Sequence, residues 1–469
     1  MKLYDDLVWR GLIKDVAGDN LEEVLNGEPI TFYWGTDPTA DSLHIGHYSS
    51  LVTAKRLAKY GHHPILLCGG ATGRIGDPRP TAEREILSYE TVDKNIKCIK
   101  NQIDRLFEGK AELVDNYSWT KDYTFLEFLR DIGKYININY MLNKDIIQRR
   151  LESGITYAEF SYMLLQGYDF MHLYETKNCI MQVEGSDQWG NITTGIELIR
   201  KKLGKEAYGF TMPLILDATG HKFGKSEGNA LWLDKEKTSP YEIYQYLINA
   251  DDSKVLEYLK VFTFLTKEGI EDIMKRHEEK PELRLAQKTL AYEVVKDIHS
   301  KEDADNAIKI SESLFTGNIK ELTDSEIELA FKGVPIYNVA EDIILNILVN
   351  NSIASSRREA REFLSNNAIS LDGDIIKYQK CCDFLLVNDT RKKAYFIELK
   401  GGNIDEAISQ LEEGVKIFKD ELVNYTVFYR IVCSKAKTHN IKGNIYRKFA
   451  EKKGTYLKCK ENRLDEVLD

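Results

Sequence analysis

Two histidines three residues apart, His44 and His47, and two lysines three residues apart, Lys222 and Lys225, are the residues of this 469-residue chain whose types and spacing could carry chemistry. The first pair lies in His44-Ile45-Gly46-His47, after a strand-favouring apolar run from Ile30 to Trp34 and a Gly/Asp/Pro turn. From about Ile45 to Tyr60 the apolar positions Leu51, Ala54, Leu57 and Ala58 recur at helical spacing, which predicts strand, loop, helix. A helix N-terminus presents unpaired N–H groups and the positive end of the macrodipole, so triphosphate charge is stabilised there and both imidazoles could donate to it. Gly46 would let an adenine ring approach the backbone. In isolation such a pair equally caps a helix or holds a metal ion. The second pair lies in Lys222-Phe223-Gly224-Lys225-Ser226, after a predicted strand from Met212 to Leu216 and the turn Asp217-Ala218-Thr219-Gly220. Gly220, Gly224 and Gly228 suggest a loop that closes on a ligand, with Lys222 and Lys225 as mobile cations. Cations that reach a departing pyrophosphate only in the transition state lower the barrier without tightening ground-state binding. Alone, such a loop is a solvated turn.

A third set suits an amino acid. Between Ile155 and Tyr174, Tyr162, Gln166 and Asp169 fall at i, i+4 and i+7 and share one face of a predicted helix. Phenol, amide and carboxylate are poor core material and good partners for an ammonium group. On spacing alone, a packed tyrosine beside a solvated aspartate reads equally well. Asp77 follows the glycine-rich turn from Gly69 to Gly76, itself after a buried-looking strand from Pro64 to Cys68.

In order and context, the histidine and lysine stretches resemble the two signatures of class I aminoacyl-tRNA synthetases, HIGH at every position and a variant of KMSKS. The run Tyr33-Trp34-Gly35-Thr36-Asp37-Pro38-Thr39-Ala40-Asp41-Ser42-Leu43 and the later Gly185-Ser186-Asp187-Gln188-Trp189-Gly190-Asn191 narrow the resemblance to bacterial-type tyrosyl-tRNA synthetases. The resemblance implies activation of L-tyrosine with ATP to tyrosyl-adenylate and transfer to the 3′ end of tRNA(Tyr). It implies catalytic roles for His44, His47, Lys222, Lys225 and Ser226, and a tyrosine site of Tyr33, Asp77, Tyr162, Gln166, Asp169 and Gln188, with Asp169 accepting from the phenol. ATP would meet Gly35, Asp37, Thr39, His44, Gly46, His47, Asp187, Lys222 and Lys225. ATP with Mg²⁺ enters as a substrate, no tightly bound cofactor is expected, and the family is homodimeric. The competing readings are a synthetase-like RNA-binding protein without catalysis and a tryptophanyl-tRNA synthetase, the latter disfavoured by Tyr33, Gln166 and Asp169.

The expected fold class is α/β. A Rossmann-like catalytic domain covers 1–238, largely helical from about Lys94 to Tyr174, and an α-helical anticodon-side domain covers 239–335, ending at the connector Gly333-Val334-Pro335. A partial S4-like RNA-binding segment follows at 336–376, where a serine-capped helix would aim Arg357, Arg358 and Arg361 at phosphates. Residues 377–469 do not resemble the rest of such a synthetase. A hairpin of Cys382 to Val387 and Ala394 to Lys400, then a helix from Ile404 to Phe418, resembles the PD-(D/E)xK nuclease core, with Asp383 and Glu398 as speculative metal ligands beside Lys400. The whole chain carries a net charge of −10, yet from Lys380 onward it holds 18 basic and 14 acidic residues, so nucleic-acid contact should be local. The 7 cysteines lack zinc-ligand spacing and read as reduced thiols. No apolar run approaches the roughly 20 residues of a membrane span, and the start lacks the basic and apolar regions of a signal peptide, which makes cytoplasm the expected location.

Overall fold

The computed structural model describes all residues except 79–83, 85, 153, 227–228, 333, 336, 338–342, 372–373, 376–383, 401–402, 434–443, 462 and 465–469. The chain divides into two compact units, Met1–Val334 and Pro335–Asp469.

The first unit is built on a six-stranded sheet of β1 (Val16–Ala17), β2 (Thr31–Thr36), β3 (His63–Cys68), β4 (Glu112–Asp115), β5 (Cys179–Gly185) and β6 (Tyr208–Met212), in the order β1-β6-β5-β2-β3-β4. All pairings are parallel except β1 with β6. Side chains alternate across a strand, and β2 shows what that does here. Phe32 and Trp34 enter one core together with Leu51 and Leu57 of the helix Ile45–Lys59, while Tyr33 enters the other with Phe170 and Leu173 of the helix Tyr157–Lys177. Burial on both faces is the usual condition of parallel strands. Strand order reverses between β2 and β5, because β3 and β4 extend the sheet one way and β6 the other. The crevice at the carboxyl ends of such strands is where open α/β sheets bind ligands.

The predicted strand from Met212 to Leu216 is displaced: β6 ends at Met212, and Pro213, which has no N–H for a ladder, follows at once. The helices Pro240–Ile248, Asp252–Phe262, Lys267–Glu279, Leu285–Ile298, Lys301–Thr316 and Asp324–Ala330 fill the rest of the unit. Several of their apolar side chains, Leu247, Phe262 and Val294 among them, join the same core as Phe32 and Trp34. Buried cations fix the two parts together. Arg10 is ion-paired with Asp6 and donates to the carbonyls of Lys260, Thr263 and Leu265, while Arg56 donates to that of Thr263. Among the described residues, no helix is long and apolar enough to cross a membrane.

The second unit opens with the helices Ile344–Asn350 and Arg357–Ser365, the latter capped by the Ser356 hydroxyl, which accepts the Glu359 N–H. Its four-stranded sheet carries Phe384–Asn388 antiparallel to Lys393–Lys400, then Thr426–Cys433 and Leu457–Glu461 in parallel, with the helix Ile404–Ile417 after the second strand.

Candidate active site

The helix Ile45–Lys59 begins at the mouth of the crevice, and its two histidines build their own cap. His44 Nδ1 accepts from the N–H groups of Gly46 (3.1 Å) and His47 (3.4 Å), His47 Nδ1 accepts the His44 N–H (3.2 Å), and the rings stack at 3.8 Å. The capping and phosphate-donating readings are therefore compatible: with both Nδ1 atoms accepting, the protonated nitrogen of each neutral ring is Nε2. His47 is held neutral, its acid strength pushed to about 3 by desolvation first and then by His44. Gly46 is required by this cap, because a Cβ there would lie 2.8 Å from the His44 ring.

The lysine stretch lies against this helix end. Gly224, at φ +83°, packs on Ile45 so closely that a Cβ would lie 1.8 Å from its Cγ2, a position no other residue can occupy. Phe223 is buried, its ring 4.5 Å from Tyr258 and 4.9 Å from Phe262, and the Gly224 N–H donates to the Tyr246 hydroxyl at 3.0 Å. The expectation of a wholly free glycine loop is thus corrected. The aromatic anchor fixes the front of the stretch, leaving Lys222 exposed, and Lys225–Ser226 pair with Asn229–Ala230 as a short antiparallel ladder. The side chains of Lys225 and Ser226, and residue Gly228, lie outside what the structure describes.

At the bottom of the crevice, Asp169 is buried and accepts from Asn116 Nδ2 and Trp119 Nε1, both at 2.9 Å. Burial outweighs those donors and pushes its pKa up to about 7. Beside it, on β2 and β5, the Tyr33 hydroxyl and both polar atoms of the Gln182 amide are buried without a hydrogen-bond partner among the described residues. Buried polar groups are paired as a rule, so three stranded atoms on neighbouring strands mark a place for a polar ligand. Tyr162 donates to Asp37 Oδ2 at 2.9 Å, and Asp37 also accepts from Thr72. Tyr162, expected to orient an ammonium group, is thus bonded to Asp37, which is expected to meet ATP. Gln188 Nε2 (3.0 Å) and Asn191 Nδ2 (3.3 Å) donate to Asp77, whose carboxyl burial raises to about 6. Gln166 is half-buried, and Thr39 and Asp187 are exposed near the mouth. Sequence reasoning missed Thr72, Asn116, Trp119, Gln182, Glu184 and Asn191. Of these only Gln182, Glu184 and Asn191 lay within reach of a signal, flanking Gly185 to Gly190 on a strand and a helix start.

The raised carboxyls give a pH prediction. An acid whose folded-state value is raised stays protonated up to that value, and a protonated Asp77 offers no charge to an ammonium group. The KM for an α-amino acid substrate should therefore rise about tenfold per pH unit below about 6, and initial rates over a pH series would show it. In Asp77→Asn that dependence should vanish and leave a uniformly high KM.

In the second unit, Arg357 donates to Asn346 Oδ1 at 2.9 Å and Arg358 pairs with Glu362 at 3.2 Å, both on the surface, as is Arg361. Glu398 is fully buried and its Oε1 lies 3.2 Å from Lys400 Nζ. Asp383 lies outside the described residues. Among the described residues, no group of three or more His, Cys, Asp or Glu side chains is placed to hold a metal ion.

Residues 25–316 match the profile of the class I tRNA synthetases for tryptophan and tyrosine, and residues 326–402 match that of the SYY-like C-terminal domain of tyrosine–tRNA ligases. The chain belongs to the class I aminoacyl-tRNA synthetase family. It is 48% identical over 417 residues to the tyrosine–tRNA ligase of Staphylococcus carnosus, spanning 99% of that protein and 85% of this chain. It is 48% identical over 412 residues to tyrosine–tRNA ligase 1 of Bacillus subtilis, spanning 97% of it. The C-terminally truncated mitochondrial tyrosyl-tRNA synthetase of Aspergillus nidulans superposes with a TM-score of 0.60 at 34% identity, covering 67% of this chain and 94% of that one. The second profile reaches past Gly373 to the end of the first hairpin, further along the chain than the sequence reading carried the synthetase resemblance.

Proposed function

We infer that the protein is a tyrosine–tRNA ligase, which joins L-tyrosine to ATP as tyrosyl-adenylate and passes the tyrosyl group to the 3′ end of tRNA(Tyr). The observation that carries the reading is the polar floor of the crevice: Asp169, charged only at the cost of burial, beside the unpartnered Tyr33 hydroxyl and Gln182 amide. A phenol entering there donates to Asp169 and accepts from those stranded groups; an indole can donate but not accept, and a phenyl ring can do neither. Asp77 and Tyr162, with Gln166 and Gln188, hold the ammonium end. The carboxylate then faces Asp37, Thr39 and the His44–His47 cap, where Mg²⁺-ATP presents its α-phosphate, and Lys222 and Lys225 meet the pyrophosphate. Ser226 and Asp187 complete the nucleotide's surroundings, with Gly35 and Gly46 leaving it room. Amino-acid-dependent ATP–pyrophosphate exchange across the twenty amino acids tests this, and exchange with none of them would leave the RNA-binding alternative standing.

The tRNA body is proposed to meet the exposed Arg357, Arg358 and Arg361, and the four divisions at 238, 335 and 376 are proposed as functional domains of a cytoplasmic enzyme. A homodimer is supported by large apolar side chains exposed on consecutive helices: Phe125 at 67%, Leu126 at 76% and Ile138 at 63%. Sedimentation at micromolar concentration should give a dimer, which Leu126→Asp should shift toward monomer. A monomeric wild type would remove the proposal.

A second, nuclease-like reading of the C-terminal unit keeps one supporting contact, the buried Glu398 carboxyl beside Lys400. It calls for Asp383 as the second carboxylate and Mg²⁺ between them. Cleavage of DNA or RNA with Mg²⁺ or Mn²⁺ that Lys400→Ala abolishes would support it, and no cleavage, or cleavage that survives the substitution, would end it.

A further inference from the structure

Glu184 is a buried carboxyl in the crevice to which none of the roles above gives any work. It lies on β5 two residues beyond Gln182, is 5% exposed, and accepts the Gly35 N–H with Oε1. The sheet register explains the contact. β2 and β5 are paired from Thr31↔Cys179 to Tyr33↔Gln182 and part there, whereas β2 remains paired with β3 as far as Thr36↔Cys68. Past Tyr33 the crevice opens, and the Gly35 N–H crosses the widening gap to a side chain where a strand carbonyl would otherwise receive it. On its far side Glu184 keeps its register with Thr211 of β6, so its backbone is held by the sheet while its side chain reaches into the opening.

The groups around it are mostly acidic, with Arg84 as the cation beside Asp37 and Asp77. Tyr33 comes from β2, Asp37 from the loop beyond it, Asp77 from the turn after β3, Asp187 from the residues after β5, and the uncharged Thr211 from β6. Desolvation, then Asp187, Asp37 and Asp77, push the Glu184 carboxyl well above the usual range, so it holds its proton to a higher pH than an ordinary carboxyl does.

We propose that Glu184 is a positioning residue for the nucleotide half of the site, a strap between β2 and β5 that holds Gly35 and the run to Thr39 at the crevice mouth. The inference rests on assigning residues 35–39 to ATP. Ionising the strap would place a fourth carboxylate charge by the phosphates, so the KM for ATP rises toward alkaline pH while that for tyrosine does not follow it.

Pyrophosphate exchange by the full-length enzyme, run from neutral to alkaline pH with thermal unfolding measured in parallel, tests the strap. Glu184→Gln keeps an acceptor for the Gly35 N–H and no charge. Its KM for ATP is expected to stay within about twofold of wild type at neutral pH and to lose the alkaline rise. Glu184→Ala strands a buried donor, and its KM for ATP is expected to rise about tenfold with the KM for tyrosine unchanged. Thr39→Ala serves as the reference for the ATP assignment and raises the KM for ATP by itself. Wild-type ATP binding in Glu184→Ala, or Glu184→Gln as impaired as Glu184→Ala, or an alkaline rise that persists in Glu184→Gln, overturns the proposal. If Glu184→Ala does not fold, the pH profile of Glu184→Gln decides alone. A Thr39→Ala enzyme with unchanged KM for ATP overturns the assignment of the run itself, and the strap with it.

Discussion

Asp169→Ala is expected to remove the preference for tyrosine over phenylalanine, lowering kcat/KM for tyrosine by several orders of magnitude while leaving phenylalanine almost untouched. The wild-type preference should be about 10⁵, a value familiar from tyrosyl-tRNA synthetases as a class and taken over from them. The asymmetry has a physical origin in the resting site. Asp169 is held by Asn116 and Trp119, and the Tyr33 hydroxyl and Gln182 amide beside it are stranded. A phenyl ring would leave the Tyr33 hydroxyl and the Gln182 amide with nothing to bond, at about 1–3 kcal/mol for each stranded group. A phenol relieves that cost, because its O–H donates to Asp169 while its oxygen accepts from a neighbour. Removing Asp169 deletes the acceptor and leaves Asn116 and Trp119 unpaired, so Asn116→Ala should show a weaker form of the same loss. Pyrophosphate exchange with the two amino acids checks it. Equal rates with phenylalanine in the wild type would remove the phenol-reading role of Asp169 and Tyr33.

The parts of the site legible in the sequence were those whose chemistry is local. His44 and His47 announce a helix start because a cap needs only neighbours in the chain, and the face of Tyr162, Gln166 and Asp169 follows from helix geometry alone. The donors that hold Asp169 come from the short helix Tyr117–Thr120 and the residue before it, 50 and 53 residues away, and no periodicity connects Asn116 with position 169. Glu184 was illegible for a related reason: in a run that reads as a buried strand its charge looks like an exception, and only the parting of β2 from β5 gives it a partner. The lysine stretch went wrong in an instructive way. Glycines imply freedom when nothing packs on them, but Gly224 is a glycine because Ile45 occupies the space of its Cβ, and the Phe223 between the lysines is an anchor in the helical part of the unit. The positions of the C-terminal hairpin and its helix were legible from alternation and spacing, since the strands run Phe384–Asn388 and Lys393–Lys400 and the helix Ile404–Ile417. What that unit does was not legible, because Asp383, Glu398 and Lys400 are as compatible with a surface of paired charges as with a metal site.

That anchoring bears on the second large effect. With Phe223 packed between Tyr246, Tyr258 and Phe262, and Gly224 pressed on Ile45, the lysine stretch is pinned at these two residues beside the His44–His47 cap. Lys222 before the anchor and Lys225 after it are the cations proposed to reach the pyrophosphate. Negative charge gathers on the departing pyrophosphate as the tyrosyl carboxylate attacks the α-phosphate, so a lysine that arrives at that moment lowers the barrier and adds little to the binding of tyrosine. Lys225→Ala is expected to slow adenylate formation by about ten- to a thousandfold, the range for one lost transition-state contact, with tyrosine affinity unchanged. Phe223→Ala should act differently, since it loosens the anchor instead of deleting a charge. It should slow the same step and also lower stability by about 3–5 kcal/mol, the usual cost of emptying a buried phenylalanine. Single-turnover measurement of adenylate formation, with tyrosine binding and thermal unfolding alongside, separates the two variants. A Lys225→Ala enzyme with weakened tyrosine binding and a normal adenylate rate would place the lysine on the amino acid and not on the pyrophosphate.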